Sequence, residues 1–213
     1  TGYFQISEPV REAGGELSKT AFRFAPGDLR AWERPEEVNV ILFHRWATSL
    51  HPLASVDEDT HTVTLTGPAH WPIGQHEHRR YYVENHPGAL DAPGEWQLDR
   101  ETGALTLVPI GDEDLSEAEV IAPVAEQLLV LQGDPDRQRF VEHVEIRGLS
   151  FRHTEWPLPP EGQSDIQAAC TVNAVIQARG AQNCTVSDCE ISQTGNYGIW
   201  FERGCSQNRI VRN

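Results

Sequence analysis

The sequence predicts an all-β protein: a right-handed parallel β-helix, or solenoid, with an inserted β-sandwich or barrel-like domain, truncated at both ends. Three observations predict it. Arg179-Gly180 recurs as Arg203-Gly204 and Val186 as Ile210, a step of 24 residues, and self-similarity at about 20–50 residues marks solenoid architectures. The middle of the chain consists of short β-branched and aromatic runs with period-two alternation. No convincing amphipathic helix fits between residues 19 and 120, where Pro87, Pro93 and Pro109 break the attempt.

The elements follow in order. Residues 1–18 read as the edge of an N-terminal part of the β-helix, with a strand-like start at Tyr3-Phe4-Gln5-Ile6. Residues 19–120 read as the inserted β-rich domain. Val38 to Phe43 is a β-branched and aromatic run, and Thr62 to Thr66 alternates as a half-buried strand does. Trp96-Gln97-Leu98 and Leu105 to Val108 flank a linker that ends in Gly103, which suits a hairpin loop. The acidic stretch from Asp112 to Glu119 reads as a solvated connector.

Residues 121–213 read as incomplete coils. Val144 to Phe151 matches Cys184 to Ile191 at an offset of 40, which is 24 plus a 16-residue insertion placed in the Pro- and Gly-rich stretch Thr154 to Thr171. The inward ladders predicted are Ile146–Val186–Ile210, Phe151–Ile191 and Leu149–Cys189–Asn213. Cys184 and Cys189 then read as buried free thiols, small hydrophobes in effect. The absence of a CxxC pair gives a zinc site little support. The chain begins at Thr1 without Met and stops mid-coil at Asn213, so it is expected to be a piece of something longer.

Composition excludes several functions. Seventeen basic against 32 acidic side chains give a net charge of −15, which argues against a nucleic-acid partner, since phosphate contacts need a basic face. No apolar run approaches the roughly 20 residues that span a bilayer. Dinucleotide-binding, P-loop and nucleophile-elbow motifs are missing from the sequence.

Chemistry is expected on the outer face of the coils. In the strand Tyr197 to Glu202, alternation turns Ile199 and Phe201 inward and Trp200 and Glu202 outward. Ile176 and Ala178, one coil earlier, are expected beside them on that face. Glycoside hydrolysis needs two carboxyl groups, one an acid and one a base or nucleophile. Glu202 and Asp165 are the catalytic pair this reasoning selects. Trp200 offers a stacking platform, and Tyr197, Asn196, His153, Glu155 and Trp156 are the other substrate-binding candidates. His76-Glu77-His78, with His70 and His86 nearby, offers two metal ligands but no third fixed by spacing. No metal or other cofactor is therefore expected. His44-Arg45-Trp46 ends a predicted strand and could project from the inserted domain towards a sugar-binding groove on that face.

Several strings carry a family resemblance. They are Arg80 to Asn85, Ala89 to Gly103 with its GEWQLDRETG core, Arg147 to Trp156, and Gly195 to Trp200 with its YGIW core. Together they resemble bacterial right-handed parallel β-helix proteins, the group that includes glycoside hydrolase family 141 and related polysaccharide-degrading enzymes. The resemblance implies a secreted or periplasmic protein, a β-helix interrupted by a barrel-like insertion, and action on plant or algal polysaccharide. It carries over no catalytic residue. A glycoside hydrolase acting through paired carboxylates on a polysaccharide or oligosaccharide is the function expected. The alternatives are a polysaccharide lyase on the same fold and a non-catalytic carbohydrate-binding or surface protein. The −15 charge tilts the expected substrate towards a neutral polysaccharide.

Overall fold

Alternating apolar side chains drive the formation of most strands in this chain, because each strand has one face to bury. The computed structural model describes residues 2–77, 79–86, 88, 90–112 and 114–213. Its strands begin with β1 (Phe4–Arg11), β2 (Leu17–Phe24), β3 (Asn39–Phe43), β4 (Thr48–Asp57), β5 (Thr62–Leu65), β6 (Arg80–Glu84), β7 (Trp96–Leu98) and β8 (Leu105–Leu107). They continue with β9 (Leu129–Gln132), β10 (Val141–Glu142), β11 (Glu145–Arg147), β12 (Ser150–Arg152), β13 (Gln163–Ser164) and β14 (Ala174–Arg179). The last are β15 (Ala181–Gln182), β16 (Thr185–Ser187), β17 (Glu190–Ser192), β18 (Tyr197–Phe201) and β19 (Arg209–Val211). Two compact units result: Thr1–Ala118 with Leu158–Cys170, and Glu119–Pro157 with Thr171–Asn213.

The first unit is an antiparallel barrel. Its sheet runs β4-β3-β6-β1-β2-β5, and β5 pairs back on β4 to close a ring of six strands. Closure removes the exposed edges that an open sheet leaves. Register shifts interrupt β1–β2 and β4–β5, and such bulges sharpen the twist that a closed sheet needs. On β3, Val40 and Leu42 point into the core, as Tyr81 and Val83 do on β6 and Phe22 and Phe24 on β2. Phe22, Val40 and Tyr81 are fully buried, each contributing about 1.5–3 kcal/mol by leaving water. Tyr81 satisfies its buried hydroxyl by donating to Asp28 Oδ2 at 3.3 Å. Burial, reinforced by the Asp28 charge, pushes that phenol well above its ordinary pKa. The expected hairpin is present as β7–β8, with Trp96 opposite Leu107.

The second unit is built from small parallel sheets: β9-β14-β18, β11-β16-β19, β12-β17 and β10-β15. The repeat read in the sequence appears here as strand register. Ile146 faces Val186, Val186 faces Ile210, and Phe151 faces Ile191. Cys184 and Cys189 are buried among these residues, whereas Leu149, expected inward, is exposed. Asn208 fills a turn by accepting from Cys184 N at 2.9 Å and donating to Ala181 O at 2.8 Å. Asn213 repeats that arrangement with Cys189 N and Val186 O, at 2.9 and 3.1 Å.

The expected parallel β-helix with an inserted domain is corrected by this topology. The dominant element is the closed antiparallel barrel, and the parallel strands form separate sheets of two or three strands each. Residues 1–18 do not edge a β-helix, because β1 and the start of β2 belong to the barrel ring. A fixed residue offset reports which strands pair in parallel, and sheets this narrow already satisfy it. The Thr154 to Thr171 insertion falls between the parallel strands β12 and β14, where the 40-residue offset places it. It supplies β13, which pairs antiparallel with β4 and widens the barrel sheet to seven strands.

Candidate functional site

The site expected around Glu202 lies on the face of sheet β9-β14-β18. Gln177 stands between Val130 and Trp200, Ile176 between Leu129 and Ile199, and Ala178 between Leu131 and Phe201. The step from Ile176 to Ile199 is 23 residues, while that from Val186 to Ile210 is 24. One extra residue is taken up between Phe201 and Ser206, which bridges to Gln182. A slip of one residue exchanges the two faces of a strand. Ile176 and Ala178, expected beside Trp200 and Glu202, are therefore fully buried instead. Gln177 takes their place next to Trp200.

Glu202 extends the pairing past the end of β18, its backbone N–H donating to Ala178 O at 2.9 Å. Its side chain is held by an amide relay. Gln177 Oε1 accepts from Ala174 N at 3.1 Å and from Gln127 Nε2 at 2.8 Å. Those two donors fix which end of the amide is oxygen. The Gln177 Nε2 end therefore faces Glu202 and donates to its Oε1 at 3.1 Å. Gln127 is itself anchored by donating to Ala174 O at 3.1 Å. The result is one carboxylate, oriented by a side-chain network on a sheet face, with an indole two residues before it.

The other predicted residues divide. Gly195 N donates to Thr154 Oγ1 at 3.2 Å. A Cβ on Gly195 would lie 2.5 Å from Glu155 C and 2.6 Å from Trp156 N, so glycine permits this close approach. Glu155, Trp156, Asn196 and Tyr197 are thereby gathered at one place in the chain. Tyr197 is exposed at the start of β18, opposite Ala174. Both polar atoms of the Asn196 side chain are shielded from solvent without a partner among the described residues, a costly state for an amide. His153 lies with Glu119, Ile121, Arg152 and Gln193 around a cleft of about 390 Å³. Asp165 falls in the barrel unit, buried, and accepts from Gln163 Nε2 at 2.8 Å. The two carboxylates selected as a catalytic pair thus belong to different compact units.

A second concave feature, of about 910 Å³, opens on the barrel at the β3–β4 hairpin. Phe43, His44, Arg45, Trp46, Gln75, His76, Glu77 and Arg80 are among the residues that line it. Trp46 stands edge-on to Trp71, with ring centroids 5.7 Å apart, and keeps 53 % of its surface exposed. Trp71 is fixed in turn by donating Nε1–H to Ile166 O at 3.0 Å. His44 bonds Ser49 Oγ through Nε2 at 2.9 Å. Burial first, then the neighbouring His51 and His76, lower its pKa to about 4, so the ring is neutral near pH 7. Sequence reasoning noted the His44-Arg45-Trp46 and His76-Glu77 strings but did not bring them together. They meet because β6, which starts at Arg80, pairs with β3, which ends at Phe43.

The His76-Glu77-His78 metal reading includes His78, which lies outside the described residues. His70 instead packs on Trp71 and His86 on Trp32, at 5.0 and 5.3 Å between ring centroids. Among the described residues no group of three or more His, Cys, Asp or Glu could hold a metal ion, and no helix is long and apolar enough to cross a membrane.

Neither a family model nor a curated protein matches the chain. A solved structure described as a glycoside hydrolase matches it with a TM-score of 0.69 and 22 % identity. The match covers 79 % of this chain and 35 % of that one, so this chain spans about a third of the neighbour's length. The likeness is one of fold, a glycoside hydrolase-like fold.

Proposed function

We propose that this chain is part of a carbohydrate-active glycoside hydrolase that cleaves plant or algal polysaccharide with paired carboxylates. The observation that carries the reading is the oriented Glu202 carboxylate beside Trp200 on the face of β9-β14-β18. A glycosidic bond needs a carboxyl group held in fixed relation to the anomeric carbon, and the Gln127–Gln177 relay supplies that constraint. An indole face suits the apolar face of a sugar ring, so Trp200 receives a sugar beside the acid. Glu155, Trp156, Asn196 and Tyr197 supply further polar and aromatic contacts, and His153 lies at the cleft beside Arg152. The glycoside hydrolase-like fold supports the same reading, as does the resemblance of the GEWQLDRETG and YGIW strings to the group of bacterial proteins that includes family 141. A secreted or periplasmic location accompanies it.

Asp165, the other carboxyl group singled out from the sequence, is tested in the same experiment. Release of reducing sugar by the intact protein is measured for wild type, Glu202→Gln and Asp165→Asn. Loss of a positioned acid or base costs about 10²–10⁴-fold. Each variant is expected to lose turnover on that scale while melting as the wild type does. Wild-type turnover in Glu202→Gln would overturn the proposal, and wild-type turnover in Asp165→Asn alone would reassign the second carboxyl group.

A further inference from the structure

The cleft at the β3–β4 hairpin of the barrel has a charge pattern that runs against the rest of the molecule. The chain carries a net charge of −15, yet the charged residues lining this cleft are Arg45, Arg80 and Glu77. Elsewhere Arg139, Arg147, Arg152 and Arg212 pair with carboxylates. Neither Arg45 nor Arg80 has a carboxylate within ion-pair reach among the described residues. Both lie over aromatic rings instead. The Arg45 guanidinium carbon is 5.8 Å from the Trp46 ring centre, and that of Arg80 is 5.0 Å from Tyr3 and 5.4 Å from Phe43.

That arrangement orients the guanidinium groups without using them up. Cation–π attraction to a ring uses no N–H donor, so the guanidinium donors stay available to a ligand. Those donors form a fork that matches the two oxygens of an acid group. Beside them the half-exposed Trp46 ring, held edge-on by Trp71, presents a flat apolar surface. Gln75 and Thr48 supply neutral polar groups on the same lining. Few convergent polar groups around an aromatic platform are the usual anatomy of a small-ligand site.

We propose that this cleft binds an anionic sugar residue, its ring stacked on Trp46 and its acid group received by Arg45 and Arg80. The lining belongs to the barrel unit alone, and the proposal does not depend on the hydrolytic reading. It adds an acidic substituent to the kind of chain recognised, where net charge alone suggests a neutral one.

The test is calorimetric titration of the whole chain with three oligosaccharides of equal length: an oligogalacturonate, a sulfated galactan fragment and a neutral xylo-oligosaccharide. At least one anionic ligand is expected to bind at least ~10-fold more tightly than the neutral one, and to weaken as salt rises. Preference for the uronate or for the sulfate identifies the acid group. Arg45→Gln and Arg80→Gln should each weaken that binding by about 10-fold or more. Trp46→Ala should weaken all three ligands. Arg45 does not fill the barrel core, so its variant keeps the test valid if Arg80→Gln unfolds. No binding by any ligand, equal binding of the neutral and both anionic ligands, or unchanged binding in Arg45→Gln would overturn the proposal.

Discussion

Replacing Gly162 with alanine probes the join between the inserted segment and the barrel. Gly162 closes a turn by donating its N–H to Pro159 O at 2.8 Å, with a φ of +87°. An alanine in that region costs roughly 1–2 kcal/mol from backbone sterics alone. Its Cβ would also lie 2.3 Å from His51 Nδ1 and 2.6 Å from Leu50 O, both on β4. His51 is fully buried, and its Nδ1 meets Glu161 O at 3.3 Å. Displacing it breaks a buried hydrogen bond, a loss of about 1–3 kcal/mol. The two contributions together predict a destabilisation of about 2–5 kcal/mol. Gly103 provides the control, since its φ is +73° and nothing lies within 4 Å of its hypothetical Cβ. Gly103→Ala should cost only the backbone share. Urea denaturation followed by tryptophan fluorescence measures both variants. Equal costs for the two substitutions, or less than about 1 kcal/mol for Gly162→Ala, would refute the packing described at His51.

Further predictions concern pH and the asparagine turns. The pKa of His44 is lowered to about 4, by burial first and then by His51 and His76, and burial lowers that of His51 despite its bond to Glu161. Unfolding restores values near 6.5, so the unfolded chain binds more protons between about pH 6.5 and 4. Stability is therefore full above pH 6.5 and falls as pH drops through that window; urea midpoints should show the decline, and His51→Gln should flatten it. Asn208→Ala removes the partners of Cys184 N and Ala181 O and should cost about 1–3 kcal/mol. The exposed ion pair of Arg152 with Glu190 should matter far less, with Glu190→Gln costing under ~1 kcal/mol by the same urea assay.

Local pattern was legible in the sequence wherever one residue determines its neighbours' faces. The run Val38 to Phe43 and the alternation from Thr62 gave β3 and β5 nearly to the residue. The 24- and 40-residue offsets gave the pairings of β16 with β19 and β11 with β16. Gly180 and Gly204, both at positive φ, mark turns that the Arg-Gly repeat already suggested. What failed was global. Nothing local in Tyr3 to Ile6 distinguishes the edge of a β-helix from a barrel strand paired with β6 and β2. The 23-residue step at β14–β18 was hidden because Arg-Gly matches Arg-Gly in the repeat, while the extra residue is absorbed in the turn beyond. That single residue moved Gln177 into the site and Ile176 out of it. The barrel cleft was illegible for a related reason. His44 to Trp46 and Gln75 to Arg80 lie some thirty residues apart, and only the β3–β6 pairing joins them.

The central claim is that Glu202 belongs to a hydrolytic site, and the fate of water during cleavage tests it most directly. The intact protein is incubated with plant or algal polysaccharide in oxygen-18-labelled water, and the products are weighed by mass spectrometry. Hydrolysis by paired carboxylates predicts one labelled oxygen at each new reducing end and none at the new non-reducing end, no unsaturated sugar, and loss of both cleavage and label in Glu202→Gln. Unlabelled fragments carrying a new double bond, or labelled fragments released equally by Glu202→Gln, would contradict it.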